Sequence, residues 1–145
     1  MAMAKIDSFR NEYFFLSNFF ERPVTFDGIT YQNNEAAFQA QKTLDPAERA
    51  AFASLNPPQA KHKGRRVTLR SDWERVKVDL MYQICKAKFT QHADLAEQLL
   101  ATGDAELIEG NTWGDRIWGA VNGVGANNLG KILMRIRAEL AGTPK

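Results

Sequence analysis

Val24-Thr25-Phe26-Asp27-Gly28-Ile29-Thr30-Tyr31, followed almost at once by Asn33-Asn34-Glu35-Ala36-Ala37-Phe38-Gln39-Ala40-Gln41-Lys42, is the stretch that decides the fold. Asp-Gly between two alternating runs is the sequence of a two-residue hairpin, because both central positions of that turn require positive φ. Asn33 or Asn34 then caps a helix, since an asparagine oxygen accepts an amide left over in the first turn. A short antiparallel pair running into a helix sets the class as α+β.

Upstream, Tyr13-Phe14-Phe15-Leu16-Ser17-Asn18-Phe19-Phe20 is an apolar run too short for a confident helix and broken by a Ser-Asn pair, within an N-terminal third that reads as short extended segments. Downstream, Asp45-Pro46-Ala47-Glu48 combines a cap, a proline at the first helical position and a glutamate three residues on, so a second helix starts there. A third is expected from Pro57 to Gly64, then an extended Val67-Thr68-Leu69. A capping box at Ser71-Asp72-Trp73-Glu74 opens a central helix to about Phe89, with Trp73, Val76, Leu80, Ile84 and Ala87 on its buried stripe. Ala93 to Ala101 is helical and closed by Gly103, and Glu106 to Glu109 forms a short strand. The last helix starts at Asn127 or Asn128 and buries Leu129, Ile132, Leu133, Ile136 and Leu140, with Gly142 just beyond its end. The expectation is a single domain over 1–145, mostly helical around a small antiparallel sheet.

Composition narrows the function class. A 44% hydrophobic, 25% charged chain of net charge +2 is ordinary for a globular domain and too weakly basic for general nucleic-acid binding. Cys85 is the only cysteine, which excludes an intrachain disulfide; among Met81, Ile84 and Phe89 it reads as inert packing. His62 and His92 are isolated, so no metal site and no cofactor are expected. No apolar run is long enough to span a bilayer and the N-terminus has no signal-peptide core, which points to the cytoplasm and away from membranes.

Three features carry chemistry. Glu35, Phe38, Gln39 and Lys42 fall at i, i+3, i+4 and i+7, one helix face over roughly 10 Å of axis, with alanines on the other sides. A stripe of this kind faces either solvent or a cleft. In a cleft, the carboxylate stabilises a cationic sugar carbon or activates water, and a neutral lysine attacks an aldehyde-like carbon. Burial lowers the lysine's pKa while an ionised Glu35 raises it. Lys61, His62, Lys63, Arg65, Arg66 and Arg70 form a basic cluster, read either as a solvated face or as a phosphate contact through arginine. Residues 110–130 hold Gly110, Gly114, Gly119, Gly123, Gly125 and Gly130 with Trp113 and Trp118, a loop suited to a flat polar ligand or to packing on its own tryptophans. Within it Asp115 is either a second reactive carboxylate or a turn cap, and the amides opening the last helix offer an anion site.

These words occur in a specific order: Leu16-Ser17-Asn18-Phe19, Asp27-Gly28, Glu35-x-x-Phe38-Gln39-Ala40-Gln41-Lys42, Gly64-Arg65, Trp73-x-x-x-Lys77-x-x-x-Met81, Lys88-Phe89, Trp113-Gly114-Asp115 and Asn127-x-Leu129-Gly130-x-x-Leu133-Met134. Over nearly the whole chain the set resembles the YbiA-like NADAR family. The resemblance implies an N-glycosidase cleaving the bond between ribose C1 and nitrogen, either in phosphorylated ribosylamino-pyrimidine intermediates of riboflavin synthesis or, in a second branch, in ADP-ribosylated guanine. It also implies the partners: a small ribosylated heterocycle bearing phosphate, or ADP-ribosylated nucleic acid. Glu35 and Lys42 then look like the reactive pair with Asp115 in support; Arg65 would hold phosphate; Asn18, Phe19, Trp73, Trp113, Gly114 and Asn127 would shape the sugar and base pocket. Many relatives carry histidine after the glutamate, where this chain has Ala36, so no acid-base role falls there. A third reading is a domain that binds ADP-ribose or a nucleotide without turnover.

Overall fold

The computed structural model describes residues 4–142, so the first three residues of the N-terminal stretch read above lie outside it. In chain order the elements are β1 (Lys5–Ile6), β2 (Val24–Phe26), β3 (Ile29–Tyr31), α1 (Asn34–Ala40), α2 (Pro46–Ala50), α3 (Pro57–Gly64), α4 (Trp73–Gln91), α5 (Ala93–Ala101), β4 (Glu106–Leu107) and α6 (Asn128–Gly142), with 3-10 turns at Asn11–Leu16 and Ala51–Ser54. They divide into two compact units: Asn18–Gln91, and the remainder on either side of it. The helix-rich α+β class is as the sequence reads.

In the Asn18–Gln91 unit, β2 and β3 pair antiparallel in the register Val24↔Tyr31, Thr25↔Thr30, Phe26↔Ile29. Asp27 and Gly28 take φ of 51° and 82°, the positive pair that the Asp-Gly turn demands. Arg49 of α2 reaches the Asp27 carboxylate at 3.2 Å and so ties the turn to the helices. α1 begins as expected: the Asn33 side-chain oxygen Oδ1 accepts the Ala36 amide at 2.8 Å and the side-chain NH₂ donates to the Leu55 carbonyl at 3.0 Å. Ala36, Ala37 and Ala40 have no exposed surface, because their small side chains let neighbouring helices close on α1. The result is a helix buried all round, which settles the question of a solvated face.

α4 starts at Trp73, but the expected capping box at Ser71–Glu74 does not form, since Asp72 binds Arg70 at 2.6 Å and Glu74 binds Lys77 at 2.6 Å. A full box forms instead at Asn56 and Gln59, opening α3. The buried stripe of α4 is Trp73, Met81, Ile84, Cys85, Lys88 and Phe89, and the expected Val76, Leu80 and Ala87 are only half-buried. An apolar count misses that stripe because a lysine occupies it. Cys85 is buried as read, and burial pushes its thiol up to about 12. At the helix end Gln91 pairs with β2, accepting the Thr25 amide at 2.9 Å and donating to its carbonyl at 2.8 Å. Val67, Thr68 and Leu69 are extended only as coil and pair with no strand.

In the other unit, β1 and β4 pair parallel, Lys5↔Glu106 and Ile6↔Leu107, so the fold has a parallel pair besides the antiparallel one anticipated. A contact between segments so far apart in sequence leaves no local signature. The aromatic run upstream of Asn18 folds as the 3-10 turn Asn11–Leu16, burying Phe15 and Leu16. α5 packs on α6, and α6 on β4. α6 buries Leu129, Ile132, Leu133 and Ile136, whereas Leu140 is half-buried and Gly142 is the last helical residue rather than the residue beyond it.

Candidate active site

Glu35 sits in the first turn of α1, its amide bonded at 3.0 Å to the Asn18 carbonyl and its side chain 8% exposed. Gln39, one turn on, donates from Nε2 to Glu35 Oε2 at 2.7 Å. Lys42 lies just past the end of α1, and its carbonyl accepts the Arg70 amide at 2.7 Å, which fixes the backbone there. The Lys42 ammonium lies 6.0 Å from the centre of the Trp73 ring, and Trp73 packs on Phe38 with ring centroids 5.1 Å apart. Trp73 opens α4, so one helix supplies the charged groups and another the indole.

Two opposing effects act on Lys42, and burial wins: it pushes the ammonium below the ordinary lysine value, Glu35 pulls back, and the cationic neighbours Arg65 and Lys77 lower it further. A lowered value raises the neutral fraction, the form that acts as a nucleophile. Lys77 is held by Glu74, with only 16% of its side chain exposed.

Asn18 is buried beside this group. It donates to Met81 Sδ at 3.4 Å and accepts from Asn34 at 3.3 Å, while Asn34 also reaches Cys85 Sγ at 3.6 Å. Phe19 is half-buried next to it in sequence. The basic cluster divides. Arg65 acts on Lys42, Arg70 is clamped to Asp72, and His62, Lys63 and Arg66 line a separate cavity of about 340 Å³ with Glu48.

In the other unit, Asp115 works as a turn cap: its Oδ1 accepts the amides of Ile117 at 3.0 Å and Trp118 at 2.9 Å, and Asn111 holds its own amide at 3.0 Å. Asn127 spans to β4, accepting the Glu109 amide and donating to the Leu107 carbonyl, both at 2.9 Å. The amides expected to offer an anion site are used: Asn127, Asn128 and Leu129 donate to the carbonyls of Gly119, Ile117 and Trp118. A Cβ on Gly119 would stand 2.0 Å from the Glu109 carbonyl oxygen, so glycine there admits the protein's own backbone. Trp113 is 55% exposed beside exposed Gly114, and Trp118 is half-buried.

The sequence profile of the NADAR domain matches residues 6–141. The chain belongs to the NADAR family. It is 43% identical to the N-glycosidase YbiA of Shigella flexneri serotype 5b over 90% of this chain and 84% of that protein. It is 38% identical to a riboflavin biosynthesis protein of Vibrio vulnificus over 87% of this chain and 35% of that longer protein. The solved structure of YbiA from E. coli, 39% identical, superposes with a TM-score of 0.84 over 97% of this chain and 88% of that one.

Within this NADAR chain, the sequence places Gln39 on the Glu35–Lys42 face but gives it no role, and it does not single out Lys77 or Asn34 for the site. Gln39 stands four residues after Glu35 and Lys77 four after Trp73, spacings that put each on its neighbour's face. Asn34 had been read only as a possible cap, and its long-range bonds have no local signal.

Proposed function

We propose that the protein is an N-glycosidase that hydrolyses the ribose C1–N bond of phosphorylated ribosylamino-pyrimidines in the cytoplasm. The single observation that carries this reading is the buried Glu35 in the first turn of α1 and the depressed, half-buried Lys42 just past its end, with the Trp73 ring centre 6.0 Å from the ammonium. An indole gives a flat apolar wall for a sugar or base. Arg65 is assigned to phosphate, and Asn18 and Phe19 to the pocket.

In the proposed reaction the base leaves C1 with the electron pair of the broken bond and takes up a proton. Neutral Lys42 then forms a C–N bond to C1 and passes its proton to Glu35. That proton goes to the ring oxygen as the C1–O bond opens, leaving an iminium. Water hydrolyses the iminium, releasing the ribose product, free Lys42 and a proton. A base with a depressed value and a carboxylate able to take its proton are what this sequence needs. Asp115, Trp113, Gly114 and Asn127 are proposed to contribute through the shape of their loop, Asp115 as its cap.

The test incubates the purified protein with a ribosylamino-pyrimidine phosphate and with ADP-ribosylated guanosine, and measures freed base by mass spectrometry. Release from the first alone is the expected result; release from the second alone would move the assignment to the ADP-ribosyl-guanine branch, and tight binding without release would make the domain a binding module. Borohydride added during turnover should trap a reduced sugar adduct on Lys42. Turnover with no adduct would replace the lysine step by direct attack of water on C1.

A further inference from the structure

Gln39 leaves a loose end on α1, as do Asn34 Oδ1 in the first turn and Tyr31 OH before the helix, but only Gln39 also bonds to Glu35. Its Nε2 donates to Glu35, but its Oε1 is fully enclosed and has no hydrogen-bond partner. Glu35 is 8% exposed and Gln39 7%, and Oε1 itself exposes less than 1 Å² to bulk solvent. On the far side of the amide lies α3: a Cβ built on Gly64 would come 1.9 Å from Gln39 Oε1 and 2.7 Å from its Cδ. Only a bare α-carbon leaves room for the amide.

Buried carbonyl oxygens are nearly always bonded, so an enclosed one without a partner needs a reason. A carboxamide has donors at one end and an acceptor at the other. Turned over, Gln39 would point its oxygen at the Glu35 carboxylate and lose the only bond it makes. The observed orientation therefore matches an ionised, acceptor-only Glu35, and the Gly64 wall keeps the amide from swinging away. Donation to the charged form favours that form.

We propose that Gln39, packed against the α-carbon of Gly64, is the positioning residue that holds Glu35 ionised and in one orientation. This deepens the reading of Glu35 given above and rests on it. Glu35 thereby serves as proton acceptor and as counter-charge to a cationic C1, not as a resting acid. Lys42, just past the end of α1, couples to Glu35, and Arg65 beyond α3 and Lys77, paired with Glu74 on α4, act in turn on Lys42. Tyr31 before α1 and Cys85 on α4 are held neutral by burial.

The experiment compares Gln39→Leu, Gly64→Ala and Glu35→Gln with the wild type by two readouts. One is the pH profile of kcat and KM on whichever of the two ribosylated substrates the wild type cleaves. The other is a carbon-13 titration of the Glu35 carboxyl, which needs no turnover. In Gln39→Leu, kcat should fall by up to about 100-fold with KM little changed, and both the carboxylate break at the foot of the acidic limb, below the rise set by Lys42, and the carboxyl titration should move to higher pH. Gly64→Ala keeps every polar group yet displaces the amide, and should move both in the same direction by less. Should Gln39→Leu fail to fold, Gln39→Met carries the comparison at closer length. An unmoved carboxyl titration in both variants overturns the proposal, even with Glu35→Gln inactive. Full turnover by Glu35→Gln would instead remove the catalytic reading of Glu35, while the titration still reports whether Gln39 holds the carboxylate.

Discussion

The face of α1 and the glycine-rich loop solve opposite problems. On α1 the polar groups are buried and bond to one another or to adjacent helices, so their chemistry is set by burial and neighbouring charge. In the loop the side chains of Asn111, Asp115 and Asn127 are spent on the backbone, and one of the two tryptophans, Trp113, is exposed. A rigid element fixes the groups it carries, whereas a loop held by its own backbone bonds is free to present exposed side chains. The two carboxylates differ accordingly: Glu35 is buried and accepts from a side-chain amide, whereas Asp115 accepts two backbone amides.

The largest effect is expected at Lys42. Lys42→Ala should lower base release by on the order of 10³-fold or more and abolish borohydride trapping; a mild loss would place the reactive amine elsewhere and dissolve the contrast. The pH dependence sharpens it. Because the amine must be neutral, the rate should rise with pH through the depressed Lys42 value and level off below the ordinary lysine range. Lys77→Met or Arg65→Met removes a cation that lowers Lys42, so the rise should move to higher pH.

Asp115 offers the sharpest way to break the comparison. Asp115→Ala loses the acceptor for two amides and should cost about 1–2 kcal/mol of stability, measured by denaturant unfolding. Asp115→Asn keeps an Oδ1 acceptor, so it should retain most stability and turnover. A large loss of kcat in a well-folded Asp115→Asn would make this residue a reacting carboxylate after all.

Burial on the α4 side has a consequence for stability. Lys88 is fully buried near the rings of Phe20 and Phe89, and burial lowers its value to about 8. The unfolded chain therefore holds a proton there that the folded chain has released between about pH 8 and the ordinary lysine value near 10.5. Stability gained from this group rises with pH across that window. Thermal unfolding of Lys88→Met should lack the increment that the wild type shows. The smallest stability change is expected for Trp113→Ala, within about 0.5 kcal/mol because the ring is exposed, while KM for the ribosylated substrate should rise.

Much of this was legible in the chain. The Asp27-Gly28 turn, the Asn33 cap, the bounds of α3 and α5 and the Glu35–Lys42 face all rest on short-range rules of sterics and hydrogen bonding, which act within a few residues. The stripe of α4 was misjudged because Lys88 is buried by what packs on it, not by its own hydropathy. The parallel pairing of β1 with β4 and the use of the α6 amides by a loop were invisible for the same reason.

What the sequence by itself determined is which groups share a helix face, since a fixed rise and twist per residue leave no choice in the matter. Only the tertiary structure decided what those groups are. Burial against α3 and α4 depresses Lys42, and the bare α-carbon of Gly64 leaves space for the Gln39 amide that grips Glu35. Both depend on which atoms exclude water, and that is a property of the packed chain rather than of any segment of it.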